Sequence, residues 1–189
     1  MGKGRTKRTD DVPGKLVDAL GKQISASLLL GDPAFPPSAR KDAAAFLLAA
    51  AAGRKPGKHN ITLESASEER RFMRIAIVND DMPFLVDSVA AAIAEHGLTI
   101  DRLVHPVVRV SRDERGAIDG ISAYDRRENG NGAAAESMIY VECSRADARQ
   151  RRALCEHLAE TLDDVHAAVK DWPRLRAAMQ RDAAALDGC

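Results

Sequence analysis

Aromatic residues are scarce in this chain of 189 residues, at 4%. Its core therefore has to be aliphatic and rich in alanine. Cysteine is scarcer still: Cys143, Cys155 and Cys189 make an odd count, with no pair at CxxC spacing. That excludes a disulfide framework. No stretch resembles the apolar segment of a secretory leader, so a reducing cytoplasm is the expected compartment. Long apolar runs are lacking too. The longest, Ala43 to Ala52, has ten residues, against about 20 for a helix that spans a bilayer, and no membrane partner is expected. Neither sign of charge dominates, because 28 basic and 28 acidic residues cancel. This speaks against a general nucleic-acid footprint. Enzymatic signatures are missing as well: there is no GxGxxG after a strand, no GxxxxGK[ST], no GxSxG and no HExxH. The five histidines show no zinc-like spacing to one another or to cysteine and read as ordinary residues.

The stretch that organises the chain is IAIVNDDMPFLVDSVAAAIAEHG, from Ile75 to Gly97. Ile75 and Ile77 alternate with Ala76 and Val78, apolar on both faces, which predicts a buried strand over 71–78. Asn79, Asp80 and Asp81 are expected to end it and to cap the free N–H groups of a following helix. Pro83 suits the first helical turn. Leu85, Val86, Val89 and Ile93 form an apolar face, and Gly97 is the expected left-handed C-terminal cap.

Before this unit, Leu16, Leu20, Ile24 and Leu28 predict an amphipathic helix over 14–30. A second runs over 39–52, with Ser38 as N-cap and Phe46 and Leu47 inside. GRKPGKHN, at 53–60, reads as a linker. The expected divisions are a disordered tail (1–12), a helical hairpin with its linker (13–60), an α+β domain (61–171) and a C-terminal helix (172–189). Within the domain, Ile61 to Leu63 suggest a short strand, and Ser65 to Arg70 a turn. LTIDRLVHPVVRVSR reads as a strand that Pro106 confines to a sheet edge or breaks with a bulge. Asp113 to Gly116 should turn, and Ala117 to Ala123 return as a hairpin arm. Tyr124 to Glu136 reads as a mobile loop. A strand over 139–143 and a helix over 146–162 follow. Val165, Ala167 and Val169 alternate as a short final strand or else continue the helix, and Trp172-Pro173 opens the last helix. The order strand, helix, strand, strand, helix, strand predicts a ferredoxin-like α+β sandwich with helices on one face of an antiparallel sheet.

The one concentrated polar cluster is Asn79-Asp80-Asp81. Capping explains it most simply. The functional reading is a ligand site, with turn amides for a carboxylate and the aspartates for an amino group. Arg109 and Arg112 suggest a second place for a carboxylate. Asp101-Arg102 reads as a surface pair, and Cys143 as a small core residue. RNA binding on the sheet is not expected, since only Phe72 and Tyr140 offer aromatic faces there.

IVNDDMPFLVDSV (77–89), Gly97-Leu98, HPVVRVSRD (105–113) and DDVHAAVKDWPRLRAAM (163–179) together resemble the N-terminal region of the large bacterial NAD-specific glutamate dehydrogenases. The resemblance covers roughly Ile61 to Met179. It implies an ACT-like module, a ferredoxin-like unit that elsewhere binds amino acids and regulates metabolic enzymes. The implied parent reaction is oxidative deamination of L-glutamate to 2-oxoglutarate with reduction of NAD. NAD would belong to the parent enzyme, and no cofactor, metal or catalytic residue to this segment. The implied partners are downstream domains of the parent chain, further copies in a homo-oligomer and an amino-acid effector. The effector site would comprise Asn79, Asp80, Asp81, Met82, Pro83, Phe84 and Leu85. Phe84 departs from the pattern, because ACT domains place glycine just after this proline. An assembly module without a ligand, or a free-standing amino-acid-binding domain, is the alternative.

Overall fold

A computed structural model describes residues 12–67, 71–114, 116–124 and 135–187. The tail over 1–11, and residues 125–134 of the expected loop, lie outside the described residues. Helices α1 (Gly14–Ala26) and α2 (Pro37–Ala51) precede strands β1 (Asn60–Ser67) and β2 (Arg71–Asp80). Helix α3 (Leu85–Glu95) follows, then β3 (Ile100–Val104), β4 (Val107–Arg112), β5 (Ile118–Ala123), β6 (Ala135–Cys143) and α4 (Ala148–Asp187). The strands form one sheet in the order β1-β2-β6-β4-β5, with β3 also on β6, and every pairing is antiparallel.

β2 sits inside the sheet, between β1 and β6, and both of its faces are apolar. Ile75 and Ile77, opposite Val141 and Ile139, face α3 and α4. Ala76 and Val78, opposite Tyr140 and Met138, face α1 and α2. The sheet is thus covered on both sides, not on one as the sequence suggested. The helical hairpin forms the second cover, through Leu16, Leu20, Ile24, Phe46 and Leu47. The core is aliphatic and alanine-rich, and three of the few aromatics meet within it. Phe35 stacks on Tyr140 at 6.1 Å between ring centres, and Phe46 meets it edge-on at 6.4 Å.

The fold class is ferredoxin-like α+β, as expected, but one strand has a different origin. Val165 to Val169 are helical, because α4 runs unbroken for 40 residues. Leu158, Leu162, Val165 and Val169 recur at steps of three and four, and that period prevails over the local alternation. The helix continues through position 173, so no separate helix opens at Trp172. The outer place beside β2, where the final strand of a ferredoxin-like sheet belongs, is taken by β1 from the N-terminal side. β1 is eight residues long and includes Ser65 to Ser67, which the sequence suggested as a turn.

Other boundaries moved for local reasons. α1 stops at Ala26 rather than near Leu30. The Ser27 hydroxyl donates back to the Ile24 carbonyl at 2.9 Å, and Asp32 takes the Leu29 N–H at 2.7 Å. α2 starts at Pro37 with Pro36 in the cap position, so Ser38 is not its N-cap. Pro106 splits one long strand into β3 and β4. Both halves border β6, and the Pro106 carbonyl accepts from the Met138 N–H at 3.0 Å between them. β4 is no edge, because β5 covers it. β6 begins at Ala135, so Ala135 and Glu136 belong to a strand and not to the expected loop.

Candidate functional site

β2 continues to Asp80, two residues further than its apolar pattern. The helix start is displaced to Leu85, and Phe84 occupies the cap position with φ 72°. No side chain caps α3, so neither Asp80 nor Asp81 does what the sequence suggested, and Pro83 lies ahead of the helix. Phe84 is the one non-glycine residue with positive φ among the described residues. An L-residue in this region costs about 1–2 kcal/mol. The turn keeps the backbone shape that suits glycine and carries phenylalanine on it, 67% exposed. C-terminally, Gly97 at φ 70° donates to the Ala94 carbonyl at 2.8 Å, the expected cap.

The turn encloses a pocket of about 420 Å³, within the range of small-molecule sites. Asp81, Met82, Pro83, Phe84 and Leu85 line it, with Val86 and Asp87 from the first turn of α3. His105, Val107 and Tyr124 close it from the β3–β5 side. Five of the seven expected site residues therefore meet at one cavity. Asn79 and Asp80 do not line it. Asn79 is buried in β2, with its Nδ2 lacking a hydrogen-bond partner. His105 is half-buried, its Nε2 2.5 Å from the Ser137 hydroxyl. Burial pushes its pKa below the usual 6.5, and the nearby charge of Asp81 only partly opposes this.

Asp80 belongs to a charge cluster beside the pocket. Its Oδ1 lies 2.9 Å from Arg54 Nη1, and its Oδ2 accepts from the Gly57 N–H at 2.6 Å. Arg54 Nη2 is 3.0 Å from Glu136 Oε1, and Arg112 Nη2 reaches both Glu136 oxygens at 2.9 and 3.1 Å. The Arg54 and Glu136 side chains are 2% and 4% exposed, so each charge depends on the others. Burial works against the charge on Arg54, but the hydrogen bonds and charges of Glu136 and then Asp80 outweigh it and raise its pKa. Arg112 thus does receive a carboxylate, an internal one. Arg54 was hidden in the sequence among the breakers of the linker, and Glu136 in what read as a loop. Arg102 reaches across to the Pro33 and Ala34 carbonyls, both at 3.0 Å, and covers the Phe35 ring at 4.2 Å. Cys143 is a buried core residue, and burial above all pushes its thiol up to about 11. No helix is long and apolar enough to cross a membrane among the described residues.

A ferredoxin-like sheet with a pocket at its first strand-to-helix turn defines an ACT-like module. The glutamate dehydrogenase ACT1 domain model matches residues 37–158, and the chain belongs to that family. Similar curated proteins are the NAD-specific glutamate dehydrogenases of Halomonas elongata and Pseudomonas aeruginosa, each 32% identical over 104 residues. The match takes in 54% of this chain but 6% of each relative, so the chain corresponds to a small part of their length. No solved structure matches the chain significantly.

Proposed function

We propose that this chain is a regulatory module of an NAD-dependent glutamate dehydrogenase, the enzyme that oxidatively deaminates L-glutamate to 2-oxoglutarate. It takes no part in the chemistry itself. Its pocket receives an amino-acid effector and passes the binding energy to the packing of neighbouring domains and subunits. The observation that carries this reading is the pocket around Asp81 to Leu85 with the uncapped end of α3. Free amide groups there suit a carboxylate, and Asp81 suits an ammonium group. Phe84 lines the pocket without filling it.

Thermal melting of the purified chain against the common amino acids, 2-oxoglutarate and NAD tests this. A ligand at 100 times its Kd should add about 2.7 kcal/mol of stability, and Asp81→Ala should lose that gain. No shift with any compound would remove the effector reading. Glutamate-dependent NAD reduction by the isolated chain would contradict a non-catalytic role.

A second reading, a module for assembly alone, draws on α4. Trp172, Leu175 and Met179 are 58%, 54% and 66% exposed, and their spacing puts them on one face of the helix beyond the sheet. A concentration-dependent mass in sedimentation, without any ligand shift, would favour it.

A further inference from the structure

The sequence separates His96 and His157 widely, but the fold brings them together. His96 caps the C-terminal end of α3, and His157 lies on α4 alongside. His96 Nε2 and His157 Nδ1 are 3.2 Å apart, with the rings inclined at 47°. Glu95 Oε2 lies 3.7 Å from the other nitrogen of His157, Nε2.

This arrangement has two uses. One ring can donate its N–H to the other. Alternatively, both nitrogens can turn lone pairs to one ion. Imidazole–zinc bonds are about 2.0–2.1 Å long, so an ion bonded to two nitrogens at this separation would see them at about 100–106°, close to a tetrahedral angle. The Glu95 carboxylate, 3.7 Å from His157 Nε2, places negative charge beside the pair, which favours a bound cation. The His157 and Glu95 side chains are 34% and 68% exposed, so water can complete the coordination.

We infer that His96 and His157 form an open two-imidazole site for a divalent transition-metal ion, which fastens the end of α3 to α4. Among the described residues no group of three or more potential ligands could hold a metal. The site is therefore an exchangeable one and not a closed structural centre. Its ligands are imidazoles, so it takes zinc, nickel or copper and passes over magnesium and calcium. It lies at the opposite end of α3 from the pocket and does not depend on an effector there.

The test is thermal melting of the purified chain with Zn²⁺, joined by electron paramagnetic resonance with one equivalent of Cu²⁺. Saturating Zn²⁺ should raise the Tm by about 5 °C or more, Mg²⁺ should not, and EDTA should reverse the rise. His96→Gln and His157→Ala should each abolish it. Cys155→Ser and His166→Ala, which alter other metal-binding side chains, should keep it. The Cu²⁺ spectrum should show two coordinated nitrogens, reduced in either of the first two variants. No rise in the parent chain, an equal rise in His157→Ala, or a copper spectrum untouched by both substitutions would overturn the assignment.

Discussion

Phe84 shows how a single residue can keep a backbone shape while changing what that shape presents. Its φ of 72° belongs to glycine, and its ring stands largely in solvent at the pocket rim. Phe84→Gly should therefore not destabilise the fold. We expect a gain of about 0.5–1 kcal/mol in urea denaturation, where relief of strain exceeds the added freedom of the unfolded chain. His105 makes a prediction about pH. Its folded pKa is depressed, so on acidification the unfolded chain takes up the proton first. Its contribution is complete above about pH 6.5 and is lost as pH falls through the lowered folded value. Melting of the parent chain should decline across that window, and His105→Gln should flatten that part of the profile.

The elements differ in how openly the sequence announces them. β2 and α3 were legible because an unbroken apolar run, a helical face and Gly97 agree locally. The Gly97 cap can be tested: a Cβ there would meet nothing within 4 Å, so Gly97→Ala should cost only its backbone strain, about 1 kcal/mol, by denaturant titration. α4 was less legible, because Val165 and Val169 fit both periods and Ala167 between them completes a strand-like alternation over so short a span. Only its packing with Leu158 and Leu162 decides between them. The site divides in the same way. The turn from Asp81 to Leu85 is contiguous and could be read, but its partners His105 and Tyr124 arrive from distant strands. Arg54 and Glu136 carry no periodic or motif signal, since their meeting follows from register and not from composition.

At the scale of the whole molecule, the cluster of Arg54, Asp80, Glu136 and Arg112 joins the linker after α2 to the ends of β2 and β4 and the start of β6. It holds the helical hairpin against the sheet next to the turn that forms the pocket. Glu136→Leu would leave two arginines without their shared carboxylate, one of them almost fully buried. The expected loss is about 3–5 kcal/mol, measured by chemical denaturation.

The origin of β1 also sets the order in which the molecule can assemble. In a ferredoxin-like sheet closed by its last strand, that border waits until nearly the whole domain exists and then depends on a long-range search. Here β1 pairs with the strand that follows it, from Ser67 opposite Arg71 to Asn60 opposite Val78. Such a hairpin has a small loop-closure cost and low contact order. During synthesis, the outer border of the sheet is available before any part of α4 leaves the ribosome, so one of the two edges of β2 is shielded while the rest of the chain is still being made.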